Sequence, residues 1–172
     1  ITDSGKIEEY EAFNKIIELL EMPWFLIPGN HDNNQNIIKF FHKHDYLPRN
    51  EKYCHYVIEN LPFTLIGLDT TVPGENYGEL CSERLKWLDQ TLKVYSSKPT
   101  FLFMHHHPFK SGIEGMDNQN LKNAGDFFEI LKSHPHVKHI ACGHVHRATE
   151  TVINGVGVSI APNGAHSVNL DL

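Results

Sequence analysis

Cysteine is scarce in this sequence. The 172 residues include only Cys54, Cys81 and Cys142, and no two of them form a CxxC pair. An odd number of dispersed cysteines argues against a disulfide framework and against a thiolate zinc site. We therefore expect a reducing, cytoplasmic location and interpret all three cysteines as small core residues.

Long apolar runs and positive charge are also lacking. No apolar stretch approaches the ~20 residues that cross a bilayer, so a membrane partner is not expected. Fifteen Lys and Arg residues oppose 21 Asp and Glu residues, which gives a formal net charge of −6. Nucleic-acid binding depends on neutralising phosphates, and without a basic run a nucleic-acid polymer is not expected as a partner.

Histidine, by contrast, is abundant. The chain has 13 histidines, a composition that points to metal or proton chemistry. Three predicted buried strands each run into a loop of metal-ligand residue types: WFLIP into residues 29–32, TFLFM into residues 105–107, and HIAC into residues 143–146. Because ligands collect at the carboxyl ends of strands in α/β sheets, we expect these three loops to converge on one crevice.

Apolar periodicity and turn residues predict a mixed order of helices and strands. The first predicted helix begins near Ile7, with Asp3 or Ser4 as its cap, and stops at Pro23. The other predicted helices cover residues 34–44, 82–95 and 121–131. The predicted strands are residues 24–27, 53–59, 63–69, 100–104 and 137–142, a hairpin within 152–160 that turns at Asn154 and Gly155, and residues 167–170. This order indicates a single layered α/β domain with mixed sheets.

Four side chains in the three loops are candidate metal ligands: Asn30, His105, His144 and His146. Imidazole nitrogens with an amide oxygen suit Mn, Fe, Zn or Co better than Ca or Mg. Four ligands are more than one catalytic metal ordinarily uses if it keeps a position for water. We therefore expect two divalent metal ions as cofactors, provided that carboxylates bridge them.

The ordered motifs TDSG, GNHD, HHHP and GHVH cover nearly the whole chain and resemble those of the calcineurin-like metallophosphoesterase superfamily. Within it, residues 105–146 resemble bacterial class III cyclic nucleotide phosphodiesterases and their glycerophosphodiesterase relatives. The resemblance implies an α/β fold of the four-layer αββα sandwich type with two mixed β-sheets. It also implies a dinuclear site at the edge of the two sheets.

The resemblance also implies roles for individual residues. Asn30, His105 and His144 would bind the second metal, with His106 as the alternative to His105. His146 would bind the first metal, and His31 would be the catalytic histidine beside the leaving group. The resemblance also makes His166 and Asn123 candidate substrate-contacting residues.

The amino-terminal part of the family pattern is missing from this sequence. The pattern opens with DxH and GDxxD motifs, whereas this chain begins with residues that resemble only the end of the second motif. We therefore interpret residues 1–172 as a single metallophosphoesterase domain that lacks its first strands and its DxH and GD metal-binding loops. Without the first strands, the strand that should pair with them would have open backbone hydrogen-bonding groups. Such an edge favours self-association, so a homo-oligomer is a further expectation.

The function expected on these grounds is hydrolysis of a small phosphodiester, a 3′,5′-cyclic nucleotide or a glycerophosphodiester, by a hydroxide that bridges two metals. One alternative is a phosphomonoesterase or nuclease on the same site. Another is a catalytically inactive fragment with a structural or partner-binding role.

Overall fold

The computed structural model of the chain describes residues 1–49 and 52–164. The helices are α1 (Ile7–Ile17), α2 (Asn34–Phe40), α3 (Ser82–Val94), α4 (Glu114–Asp117) and α5 (Ala124–Leu131). The strands are β1 (Tyr56–Ile58), β2 (Thr64–Leu68), β3 (Thr100–Met104), β4 (Val137–Cys142), β5 (Thr149–Ile153) and β6 (Val156–Ile160). No helix within the described ranges combines the length and the apolar character needed to span a bilayer.

The strands form one mixed sheet in the order β1-β2-β3-β4-β6-β5. The four central strands, β2, β3, β4 and β6, are parallel, and the antiparallel strands β1 and β5 lie at the two edges. The predicted mixed α/β class is therefore confirmed.

The two faces of the sheet have different cores. Helices α3 and α5 cover one face, where Leu88 and Leu92 of α3 and Phe127 of α5 belong to the same buried cluster as Leu102 and Ile140 of the sheet. A smaller cluster contains residues of α1, α2 and β1, and partly buried Phe103 of β3 packs against it. The ring of Tyr56 in β1 lies over Gly67, its partner in β2, where an added Cβ would lie 2.6 Å from the ring. Only glycine therefore fits at that point of β2.

Both predicted hairpins are present. Strands β1 and β2 pair antiparallel, as do β5 and β6. Asn154 and Gly155 turn the second hairpin with φ values of 52° and 82°. Asn and Gly tolerate this left-handed conformation better than other residues, which is why the Asn-Gly pair identified the turn in the sequence.

Other expectations need correction or lie outside the described residues. Residues 24–27, predicted as a strand, do not form one, because no strand in the described ranges pairs with them. Where the resemblance implied two sheets, residues 1–49 and 52–164 form one. Helices α1 and α2 end earlier than predicted, at Ile17 and Phe40. The strand predicted over residues 167–170 lies outside the described part of the chain.

The start of α1 also differs from the prediction. Lys6, not Asp3 or Ser4, is the N-cap residue. The carboxylate of Glu9 accepts the backbone N–H of Lys6 at 2.9 Å and the hydroxyl of Ser4 at 2.9 Å. Glu9, in the first turn of α1, thus accepts hydrogen bonds from donors at and before the N-cap, as the N3 residue of a capping box does.

One cysteine also differs from the expectation. Cys54 and Cys142 are buried, as expected of small core residues, but Cys81 is partly exposed at the N-cap of α3. The expectation that all three cysteines belong to the core is therefore wrong for Cys81.

The burial of α3 leads to a stability prediction. Leu92 is fully buried beneath the sheet, whereas Leu19, beyond the end of α1, is 79% exposed. Leu92→Ala should lower the free energy of unfolding by about 2–5 kcal/mol, because it removes buried methyl groups and leaves a cavity. Leu19→Ala, the matched control, should change it by less than about 0.5 kcal/mol. Urea denaturation followed by circular dichroism measures both, and equal losses would contradict the described core.

Candidate metal centre

Two of the three histidine-bearing loops are brought together by strand pairing. Strands β3 and β4 are parallel neighbours, and their last residues, Met104 and Cys142, are partners in the register. The pairing continues beyond the strands, where the N–H of Gly143 donates to the carbonyl oxygen of His105 at 3.1 Å. The HHHP and GHVH loops therefore leave the same edge of the sheet side by side.

The third loop, residues 29–32, follows an extended segment and reaches the same place. The Oδ1 atom of Asn30 lies 2.9 Å from Nε2 of His105. The same Nε2 atom lies 3.1 Å from Nδ1 of His144. Potential ligand atoms from three loops thus lie next to one another, and both separations match those between neighbouring ligands of an ion with bonds of ~2.1 Å.

Unusual backbone conformations aim these side chains. His144 and His146 have φ values of 68° and 60°, in the left-handed region that non-glycine residues seldom adopt. Such a conformation costs roughly 1–3 kcal/mol per residue and is concentrated at functional sites. At Gly29 an added Cβ would lie 2.9 Å from the His105 ring, so the glycine allows the GNHD loop to approach the imidazole closely.

Asp32 fixes the conformation of the GNHD loop. Its carboxylate accepts the N–H of Gly29 at 2.9 Å, the hydroxyl of Thr2 at 2.7 Å and the hydroxyl of Tyr10 at 3.2 Å. These bonds tie the loop to the first residues of the chain and to α1. Asp32 thus holds the loop in place, so that Asn30 meets His105.

Burial keeps the central imidazoles neutral. It lowers the pKa of His105 well below the usual range, and the neighbouring His106 and His144 act in the same direction. Burial also lowers the pKa of His144 to about 4, with His107 and His146 adding to the effect. Only a neutral imidazole offers a lone pair to a metal, so both rings are in the ligand form at neutral pH.

His106 is less available as a ligand, although its ring lies in the same cluster. Its Nε2–H donates to the carbonyl oxygen of Asn76 at 3.2 Å, and its Nδ1 accepts the hydroxyl of Thr70 at 2.7 Å. Both ring nitrogens are therefore engaged, and Gly78 leaves room for the ring. Between the two alternatives in the HHHP loop, the geometry favours His105.

A cavity of about 530 Å³ lies over this cluster. All four candidate ligands and the candidate catalytic residue line it: Asn30, His31, His105, His144 and His146. His146 lies 3.2 Å from the amide of Asn163 through its Nε2. His31 is 57% exposed, and its Nδ1 bonds to the carbonyl oxygen of Asp3 at 2.9 Å.

Of the two candidate substrate residues, His166 lies outside the described residues. Asn123 is not among the residues that line the cavity, and its amide bonds at both ends to the backbone of Leu80, at 3.0 Å to the N–H and 2.6 Å to the carbonyl oxygen. Asn123 joins the residues before α3 to the start of α5.

Met116 and Gln119 line the cavity and were missed in the sequence. They belong to α4 and the turn that follows it. Neither residue type signals a site by itself. The single clue was their place shortly after the HHHP motif.

The loop that follows β2 supports the cluster from behind. The carboxylate of Asp69 accepts the N–H groups of Cys54 and Thr71, and the Asp69 N–H donates to Nδ1 of His55 at 3.0 Å. The His55 ring stacks on Trp87, with ring centroids 4.7 Å apart. Burial, followed by the charge of Arg84, lowers the pKa of His55 to about 3.

Neutral histidines and an amide oxygen at one edge of an α/β sheet form an arrangement that can hold a divalent metal ion. The comparisons with known proteins show the family to which the chain belongs. The sequence model described as calcineurin-like phosphoesterase matches residues 1–148, and the chain belongs to this family.

Its relatives include named phosphodiesterases. The chain is 42% identical to a probable glycerophosphodiester phosphodiesterase GpdQ from Arcobacter nitrofigilis, over all of this chain and 63% of that protein. It is 32% identical to a 3′,5′-cyclic adenosine monophosphate phosphodiesterase CpdA from Vibrio vulnificus, over 95% of this chain and 58% of that protein. The chain thus spans about three-fifths of the length of these relatives.

A solved structure shares the fold. A dimetal phosphatase from Danio rerio superposes with a TM-score of 0.69 over 89% of this chain and 65% of its own, at 12% identity. A likeness at this identity concerns the fold alone.

The buried state of His55 predicts a pH dependence of stability. An unfolded histidine takes up a proton below about pH 6.5, whereas folded His55 does so only near pH 3. Its contribution is therefore fully present above pH 6.5 and is lost as the pH falls towards 3. His55→Asn, which keeps an acceptor near the Nδ1 position, should reduce the fall in stability between pH 7 and pH 5 by about 1–2 kcal/mol.

Urea denaturation at pH 7, 6 and 5 checks this expectation. His42→Asn, a change at an exposed histidine, is the matched control and should leave the pH dependence unchanged. The same slope in His55→Asn and in the unmodified protein would show that His55 is protonated in the folded state.

Proposed function

We propose that this protein is a metal-dependent phosphodiester hydrolase that acts on a small diester, a 3′,5′-cyclic nucleotide or a glycerophosphodiester. The observation that carries the proposal is the position of His105 Nε2, which lies 2.9 Å from Oδ1 of Asn30 and 3.1 Å from Nδ1 of His144. The names of relatives such as GpdQ and CpdA support the substrate class.

The residues present fit a divalent metal ion. His105 and His144 turn a ring nitrogen of each towards the other, Nε2 and Nδ1, 3.1 Å apart. Burial keeps both rings neutral, so these nitrogens have lone pairs to offer. Together with Oδ1 of Asn30 they make an N/O ligand set that suits Mn, Fe, Zn or Co.

The proposed cofactor is a pair of such ions. Asn30, His105 and His144 would hold the second metal, and His146 would bind the first. A pair of ions would also need a carboxylate ligand in addition to these side chains. When bound, the ions supply Lewis acidity and lower the pKa of water to about 7.

The charge of the side chains that line the cavity bears on how a substrate anion would be held there. No lysine or arginine is among the described residues that line it. A diester anion in this cavity would therefore be held by the ions and by hydrogen bonds rather than by a cationic side chain. Binding and turnover should both depend on the metal.

His31 is proposed as the catalytic residue. It follows the ligand Asn30 directly, lines the same cavity and remains more than half exposed. The bond from its Nδ1 to the Asp3 carbonyl orients the ring and leaves Nε2 for the substrate. Protonated His31 would donate from Nε2 to the leaving oxygen, a contribution of about 10²- to 10⁴-fold.

The reaction class is tested with two aryl phosphates. The intact protein with Mn²⁺ should hydrolyse bis(p-nitrophenyl) phosphate faster than p-nitrophenyl phosphate, and EDTA should abolish both rates until Mn²⁺ is restored. Absorbance of the released nitrophenol measures the two rates. Faster cleavage of the monoester would favour a phosphomonoesterase, and cleavage of neither with metal present would contradict a hydrolase.

Two substitutions separate the ligands from the catalytic histidine. His105→Ala should lower metal content and turnover together, because it removes a ligand. His31→Ala should retain the metal and reduce turnover by about 10²- to 10⁴-fold. Metal content by mass spectrometry and diester hydrolysis give the two readouts.

His42→Ala is the matched control for both substitutions, since its histidine is exposed near the end of α2 and does not line the cavity. It should change neither quantity. If His31→Ala lost metal in proportion to activity, His31 would be a ligand and its proposed role would be wrong.

A further inference from the structure

One side of the cavity over the histidine cluster has no part in the proposed chemistry. Met116 of α4 and Gln119 of the turn after it line the cavity there, and we call these two residues the α4 wall. Burial is the main cause of the low pKa of His144, and hydrogen bonding to the backbone of Gln119 opposes it. The α4 wall therefore lies beside a proposed metal ligand, within reach of the organic group of a diester bound there.

Hydrogen bonds hold the α4 wall in place from both ends of its segment. The Asp117 carboxylate accepts the N–H and the hydroxyl of Ser111 at 2.6 and 2.7 Å and the N–H of Gly112 at 3.1 Å. After the turn, the N–H of Leu121 donates to the carbonyl oxygen of His107 at 3.0 Å. The segment is thus fixed to the HHHP loop, so both side chains of the wall are positioned before a substrate binds.

The two side chains of the α4 wall offer different contacts. Met116 is only 9% exposed and also belongs to the larger core cluster, so the core holds its thioether beside the cavity. A thioether packs favourably against an aromatic ring. Gln119 is partly buried, and its amide has both donor and acceptor groups. The wall therefore combines one apolar contact with one hydrogen-bonding contact.

This combination fits a flat heteroaromatic group better than a glycerol chain. A nucleobase has a ring face for the thioether and polar atoms on its edge for the amide. The hydroxyls of glycerol each need a polar partner, and a thioether is only a weak acceptor. The cavity of about 530 Å³ is within the usual size range of small-molecule sites, which is sufficient for a base in addition to the phosphate.

We propose that Met116 and Gln119 are specificity-determining residues, which hold a flat heteroaromatic group of the substrate, such as a nucleobase, between the thioether and the amide. This inference rests on the proposed function, because it requires a phosphodiester bound at the metal centre. Of the two diesters named there, the α4 wall favours the cyclic nucleotide. Neither residue contacts the reacting atoms, so the wall acts on substrate binding.

The first experiment compares two diesters on the intact protein with Mn²⁺. Initial rates with 3′,5′-cyclic AMP and with sn-glycero-3-phosphoethanolamine give kcat/KM for each, measured by anion-exchange chromatography of the phosphate products. The value for cyclic AMP should be the larger. An equal or larger value for the glycerophosphodiester would overturn this inference and leave the proposed function intact, whereas hydrolysis of neither diester would overturn both.

Two substitutions test the α4 wall itself. Gln119→Ala removes a hydrogen bond to the base and Met116→Ala removes a sulfur–ring contact, so each should raise the KM for cyclic AMP by about two- to tenfold and affect kcat less. The ratio of kcat/KM for cyclic AMP to that for the glycerophosphodiester should fall in both variants. A loss of folded protein lowers both rates equally and leaves this ratio unchanged, so a folding defect at the buried Met116 cannot produce the same result.

Gln90→Ala is the matched control, since Gln90 is exposed on α3 and does not line the cavity. It should change neither KM nor the ratio. Metal content, measured by mass spectrometry, should stay the same in both wall variants. If both variants reduced kcat/KM for the two diesters by one common factor, or not at all, or if they lost metal, the α4 wall would have no part in specificity and the proposal would be wrong.

Discussion

The candidate site depends above all on the parallel pairing of β3 with β4. The register that aligns Met104 with Cys142 makes His105 and Gly143 neighbours and carries the hydrogen bonding one step past the strands. A shift of one residue would turn each following side chain to the opposite face of the sheet. The position of His144 beside His105 is therefore set by backbone hydrogen bonds within the sheet.

This pairing concentrates imidazoles where water is largely excluded. His105, His106 and His144 pack with ring centroids about 4.8–4.9 Å apart. Such a cluster is tolerable because burial and mutual repulsion keep the rings neutral. Neutral rings that face one another with lone pairs form a metal-binding arrangement, and a bound ion would stabilise the folded state by mass action. The same features that disfavour protonation thus favour a metal.

The loops around the cluster have separate tasks. Asp32 holds the GNHD loop, and the Asp69 and His55 network holds the loop after β2, which carries Thr70 to His106. Arg84 joins this second loop to α3 through the carbonyl oxygens of Asp69 and Thr71. The wall behind the cluster is therefore continuous with α3.

The sequence by itself determined the class of the fold, both hairpins and the three loops that meet at the histidine cluster. These follow from local patterns: apolar periodicity, the Asn-Gly turn, and ligand residues directly after apolar strands. Only the tertiary structure shows that both ring nitrogens of His106 are bonded, because its partners Thr70 and Asn76 are distant in the chain. It alone left residues 24–27 without a strand partner within the described ranges, turned Asn123 to the backbone of Leu80, and brought Met116 and Gln119 to the cavity. A side chain's role depends on which distant groups satisfy its hydrogen bonds, and local sequence does not specify those contacts.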